Sequence, residues 1–132
     1  MLPTWVGKYV GIPFKELGRD CSGCDCYGLV LMVLKKEFGV EPPDYTGRYD
    51  TTRNGQAIDN IIERESAKWD LVDTPRVGDA VLFRVAGLKW HIGVMVGLDV
   101  VLHTERGKNT IVERIDSLRW RNRIEGYYRY DG

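Results

Sequence analysis

Gly23-Cys24-Asp25-Cys26-Tyr27-Gly28-Leu29-Val30-Leu31-Met32-Val33-Leu34 runs a polar, cysteine-bearing turn straight into an apolar helix, and the rest of the chain is read outward from this junction. Beyond Cys26, the residues Leu29, Val30, Leu31, Val33, Leu34 and Phe38 cover so much of a helical surface that the helix is expected to be central. Gly39 suits a C′ position and Pro42-Pro43 forbids continuation, so the helix is predicted to stop near Phe38. A cysteine in the first turn faces unpaired backbone N–H groups and the positive end of the macrodipole, both of which favour thiolate. Cys26 is therefore the candidate nucleophile and the expected reactive thiol. A small buried hydrophobe is the competing reading of the residue taken alone.

Upstream, Trp5, Val6, Tyr9 and Val10 suit a short amphipathic helix ending at Gly11 and Pro13. Phe14 to Asp25 reads as a loop passing the start of the Cys26 helix. Downstream, Asp44 to Asn54 is loop-like. Ala57, Ile58, Ile61 and Ile62 mark a second helix, capped by Asn54 or Thr52 and fading near Ala67. After Trp69 the period changes. Strands are predicted at 80–83, 91–96, 100–104, 110–115 and 126–130, and their short connections imply an antiparallel sheet. Helices first and strands afterwards give an α+β domain.

The length of 132 residues suits one domain with a core of its own. Nineteen basic and nineteen acidic side chains cancel, which argues against a nucleic-acid-binding footprint. Arg119, Arg121 and Arg123 read as a solvated face. No basic leader with a long apolar run opens the sequence, and no stretch approaches ~18 uninterrupted apolar residues. The expectation is a protein made in a bacterial cytoplasm without export signal or membrane span, and carried outward by an assembly, a pore or lysis. The three cysteines crowd into Cys21-x-x-Cys24-x-Cys26. Three is an odd number for a disulfide framework, and a structural zinc site would need a fourth ligand such as His91 or His103.

Only two histidines exist, in adjacent predicted strands. If the loop between those strands is Gly97-Leu98-Asp99, Gly93 lies opposite His103, and His91 is its diagonal neighbour on the same face. An even-numbered loop would separate them. In the favourable register His91 can take the Cys26 proton while His103 orients its ring, provided that the Cys26 helix begins over that face.

Four pieces in order resemble the NlpC-like peptidoglycan endopeptidases, a branch of the papain-like cysteine peptidases. They are Gly11-Ile12-Pro13-Phe14 with Gly18-Arg19-Asp20; Asp25-Cys26-Tyr27-Gly28-Leu29-Val30; Val77-Gly78-Asp79-Ala80-Val81-Leu82-Phe83; and His91-Ile92-Gly93-Val94-Met95-Val96-Gly97 followed by Leu102-His103-Thr104. The resemblance implies a papain-like NlpC fold, with about five antiparallel strands packed against the Cys26 helix and two or more further helices. It makes Cys26 the nucleophile, His91 the base and His103 the third polar member, with no cofactor and no metal. It also implies cleavage of peptide stems of peptidoglycan, commonly between D-glutamate and a diamino acid.

Three departures refine this. Tyr27 stands where the family usually has serine, which looks more like the short peptidases of phage and gene-transfer tails, with tail-tip or baseplate proteins as partners. Phe14 replaces a tyrosine credited with helping the oxyanion site, so that role would pass to the Cys26 backbone N–H. Asp20-Cys21-Ser22-Gly23 matches the family motif literally, yet Gly28-Leu29-Val30 and the helix follow Cys26 directly. Phe14, Arg19, Asp25, Tyr27 and Trp90 are the expected substrate contacts, forming a cleft with an apolar floor and polar anchors. A tail-tip plug that keeps the fold without turnover is the alternative. Lipid acyl transfer by circularly permuted relatives is disfavoured, because cysteine precedes histidine here.

Overall fold

In the computed structural model, which describes residues 2–130, the chain enters through a 3-10 turn at Thr4–Lys8. Val6 and Tyr9 from this turn are buried, and the Trp5 ring stands edge-on to Phe38, centroids 6.0 Å apart. The segment expected to be a loop contains a small hairpin, β1 (Arg19–Asp20) and β2 (Gly23–Cys24), pairing Arg19 with Cys24. Two-residue strands leave too little alternation to be read from sequence. Helix α1 spans Cys26–Phe38 as expected and ends on Gly39 in the left-handed region at φ 69°. Helix α2 covers Gly55–Glu65, with the Asn54 side chain accepting from the Ala57 N–H at 3.1 Å. A further 3-10 turn follows at Ser66–Lys68.

The remaining strands are β3 (Asp70–Val72), β4 (Ala80–Val85), β5 (Leu88–Gly97), β6 (Val100–His103), β7 (Ile111–Arg114) and β8 (Ile124–Arg129). They form one antiparallel sheet in the order β3-β8-β4-β5-β6-β7. The architecture is α+β, with a sixth strand that the sequence reading lacks. That strand, β3, is a three-residue edge whose Leu71 is exposed, so it carries no buried-face pattern. None of the described helices is long and apolar enough to cross a membrane.

Side-chain alternation gives the sheet two different faces. Ala80, Val94 and Leu102 pack beneath Leu29, Val30 and Val33 of α1. Val81, Phe83, Met95 and Val101 pack on the other side with Ile115 and Trp120. His91 pairs with Phe83 across β4–β5 and its ring lies 5.6 Å from the Phe83 ring, so it belongs to the second face. This corrects the expectation that the Cys26 helix starts over the histidine face. Val94 and Leu102 serve the helix, and the histidines have the opposite parity on the same strands, so one face cannot serve both.

The hairpin also differs from expectation in its means. The turn between β5 and β6 is Leu98-Asp99, an even number, which alone would separate the histidines. Met95 pairs with Val101 while Gly97 pairs with Val100, so Val96 is an extra residue on β5 that restores the parity. A second extra residue on β5 is Trp90, because His91 faces Phe83 while Lys89 faces Arg84. Two bulges thus bracket the segment that carries His91.

Candidate active site

At the start of α1, Asp25 is fully buried and serves as N-cap, with Oδ1 accepting from the Gly28 N–H at 2.7 Å. The same oxygen receives Arg19 Nη1 at 2.8 Å, and Oδ2 receives the Tyr49 hydroxyl at 2.5 Å. Arg19 spends its other donors on the Gly18 carbonyl at 3.0 Å, the Tyr49 hydroxyl oxygen at 2.9 Å and the Asp44 carboxylate at 3.1 Å. Gly28 permits this crowding, since a Cβ there would fall 2.1 Å from the Gly18 carbonyl oxygen. Arg19 and Asp25, expected as substrate anchors, therefore face inward and hold the helix start in place. A fully buried carboxylate requires such partners.

Cys26, the first residue of α1, is 4 % exposed, and its Sγ lies 4.0 Å from the Trp90 carbonyl oxygen at the β5 bulge. Burial, with the charge of Asp25 beside it, pushes this thiol up to about 12. The helix-start environment favours thiolate, but desolvation wins, and the resting thiol is neutral. Cys24 is also buried and pushed up, to about 11. Cys21 is the exposed thiol, with Lys36 Nζ 3.6 Å away, so accessibility favours Cys21 rather than Cys26 as the first thiol to be modified.

The histidine face carries a buried chain of three groups. His91 Nε2 lies 2.8 Å from His103 Nδ1, and His103 Nε2 lies 2.8 Å from Glu113 Oε1. Burial holds both rings neutral: it depresses His91 to about 3 and also lowers His103, although Glu113 pulls the latter upward. Burial works against ionisation of Glu113, but the donors around it, His103 among them, keep its carboxyl below the ordinary range. These states fix the tautomers. A carboxylate only accepts, so His103 donates from Nε2 and accepts at Nδ1; His91 then donates from Nε2 and keeps its lone pair on Nδ1. Gly93 makes room, since a Cβ there would lie 3.0 Å from the Cβ of His103. Trp120 stacks on His91 at 5.5 Å and meets His103 edge-on.

Two cavities meet at Cys26, Thr52 and Trp90. One, about 90 Å³, lies between α2 and the sheet and is mainly apolar, with Tyr27, Ile58, Ile61 and Leu82 in its wall. The other, about 230 Å³, contains Cys26 and His91 together with Phe14, Arg106, Arg119 and Arg123. Of the expected substrate contacts, Tyr27 lines the first cavity, Phe14 the second and Trp90 both, whereas Arg19 and Asp25 line neither. Arg119 and Arg123, read from sequence as a solvated face, stand on its wall. His103, Glu105 and Glu113 bring ligand-type atoms within 4.8 Å of one another, but Arg119 already pairs with both carboxylates.

The profile of the NlpC/P60 family matches residues 11–129. The chain belongs to the NlpC/P60 family. The murein DD-endopeptidase MepS/murein LD-carboxypeptidase of Escherichia coli K12 is 25% identical over 113 residues, 86% of this chain and 53% of that protein. Tail tip assembly protein K of Escherichia phage N15 is 28% identical over 96 residues, 70% of this chain and 39% of that protein. The chain thus spans about half the length or less of these curated relatives. The NlpC/p60 domain of the peptidoglycan hydrolase SagA superposes with a TM-score of 0.64 at 21% identity, covering 93% of this chain and 91% of that one. The α+β architecture is therefore the NlpC/P60 fold.

Within this NlpC/P60 domain, sequence reading missed Glu113, the partner of His103. The signal was present: β7 pairs with β6 through Val101–Glu113 and His103–Ile111, so Glu113 shares the face of His103 one diagonal step away. Thr52 and Arg106 were missed because they meet only in space. Arg106 Nη2 donates to Thr52 Oγ1 at 2.7 Å, across 54 positions of sequence.

Proposed function

We propose that this protein is a cysteine peptidase of bacterial peptidoglycan, with Cys26 as nucleophile, His91 as general base and His103 as the group that orients His91. The observation that carries this reading is the His91–His103–Glu113 chain, which engages Nε2 of His91 and, among the described residues, leaves its Nδ1 without a hydrogen-bond partner, on a residue that lines the same cavity as Cys26. Because both partners rest neutral, the reaction starts by proton transfer rather than from a preformed ion pair. As Sγ bonds to the scissile carbonyl carbon, the thiol proton passes to His91 Nδ1. In this reading the backbone N–H of Cys26, at the first helical position, stabilises the developing oxyanion. Collapse breaks the C–N bond, and His91 returns the proton to the departing amine. Water then attacks the thioester, giving its proton to His91, which hands it to sulfur as the acyl group leaves as a carboxylic acid. His91 carries positive charge in both steps, and the His103–Glu113 arm stabilises it.

The substrate in this reading is a peptide stem, cleaved between D-glutamate and the diamino acid. The similarity to a phage tail tip assembly protein supports a place in a tail-like particle that opens the wall locally. Purified peptidoglycan incubated with the protein should release peptide fragments identifiable by mass, and the Cys26→Ala protein should release none. Absence of release by the unmodified protein, with the fold intact, would favour a structural plug.

A further inference from the structure

The two cavities flanking Cys26 differ in chemistry, one walled mainly by apolar side chains and the other by charged ones. Three guanidinium groups stand on the wall of the His91 cavity. Arg106 is held by Thr52 and Glu16, and Arg119 by Glu105 and Glu113, so each already has carboxylate partners within the chain. Arg123 is exposed, and its side chain forms no ion pair or hydrogen bond with any of the described residues. Its backbone is nevertheless fixed: its N–H donates to the Trp120 carbonyl at 2.8 Å, and its carbonyl accepts from the Arg84 N–H at 2.7 Å. Trp120 is the residue stacked on His91, so the base of Arg123 is tied to the histidine face. The cavity on the other side of Cys26, walled by Ile58, Ile61 and Leu82, offers a carboxylate little compensation for lost water.

We infer that Arg123 binds a free carboxylate next to the scissile bond and so determines which way the peptide lies across Cys26. This rests on the peptidase reading for its substrate, but the binding event itself needs no turnover. A fork of fixed origin with no internal partner suits bidentate contact with a carboxylate, and the mainly apolar cavity disfavours the reversed placement.

The test uses three synthetic peptide stems: one with both carboxylates around the scissile bond free, and two in which one or the other is amidated. Calorimetric binding to the Cys26→Ala protein, alone and combined with R123Q, reads the contact without chemistry. With R123Q, binding of the free stem should weaken by roughly three- to thirty-fold. One amidated stem should bind equally weakly to both proteins. R121Q, which alters an exposed neighbour absent from the cavity wall, should change nothing. In the turnover assay R123Q should raise KM for the free stem with little change in kcat. Equal binding of free and amidated stems, or R123Q indistinguishable from its parent, overturns the inference whether or not the protein hydrolyses them. Failure of turnover with the binding difference intact overturns the peptidase reading alone.

Discussion

At the residue scale, burial outweighs the helix start. The first turn of α1 favours a thiolate at Cys26, yet burial holds the thiol up at about 12 and depresses His91 to about 3. A preformed thiolate–imidazolium pair would alkylate readily in weak acid, whereas this neutral pair should not. Iodoacetamide labelling of Cys26, followed by mass spectrometry, should therefore accelerate as pH rises from 5 to 9 without a neutral plateau. Cys21 should label earlier, because it is exposed. Glu113 affords a second test. It touches no substrate in the proposed mechanism and acts through His103, so Glu113→Ala should lower kcat by roughly 10- to 100-fold with little change in KM. A loss confined to KM would assign Glu113 elsewhere. Sequence reading singled out Cys26, His91 and His103 because each sits at a legible point of an element; the structure puts Cys26 and His91 on one cavity and joins His91 to His103. Glu113 escaped it, since one carboxylate among nineteen acidic residues is singled out only by the β6–β7 pairing.

At the element scale, α1 and the main strands were legible because their periods are long and their stops chemical: Gly39 and Pro42-Pro43 for the helix, and the Gly97-Leu98-Asp99 break, which the structure narrows to Leu98-Asp99, for the hairpin. The bulges at Trp90 and Val96 were not. A bulge leaves no composition signal, yet two of them set which way His91 points. Parity of a loop counted from sequence is consequently an unsafe guide to faces wherever a bulge intervenes. Gly93→Ala should probe this arrangement, since its Cβ would fall 2.6 Å from Val101 Cγ2 and 3.0 Å from the Leu102 carbonyl oxygen. The expected outcome is a loss of about 1–3 kcal/mol in urea unfolding, with kcat reduced through displacement of His103. Arg19 and Asp25 belong to this scale too. Their expected place in the substrate site failed because a fully buried N-cap carboxylate draws its neighbouring guanidinium inward. Asp25→Ala removes the cap and the buried partner of Arg19 and Tyr49, so it should cost about 3 kcal/mol or more. Arg19→Ala should likewise lower stability before it changes KM.

At the scale of the whole molecule, the sheet has a division of labour: one face buries apolar side chains under α1, and the other buries His91 and His103 among Val81, Phe83, Met95, Val101 and Trp120. Placing two neutral histidines in that second core links catalytic geometry to the pH range over which the fold holds. The folded His91 titrates near 3, below the ordinary value of 6.5, and His103 is lowered as well. Between those two limits the unfolded chain binds more protons than the folded one, so stability must fall as pH drops through this window. At the other end, Cys26 titrates near 12 when folded against 9 when unfolded, so the unfolded chain loses its proton first and stability falls again above about pH 9. Urea midpoints measured from pH 4 to 10 should accordingly show a plateau near neutrality with a decline on each side. His103 shares the acid limb and Cys24 the alkaline one. His91→Gln should therefore reduce the acid limb relative to the parent, and Cys26→Ala should reduce the alkaline limb while leaving the acid one in place. An acid limb unchanged by His91→Gln would mean that His91 does not carry the acid dependence, and that its ring is reached by solvent in the folded protein.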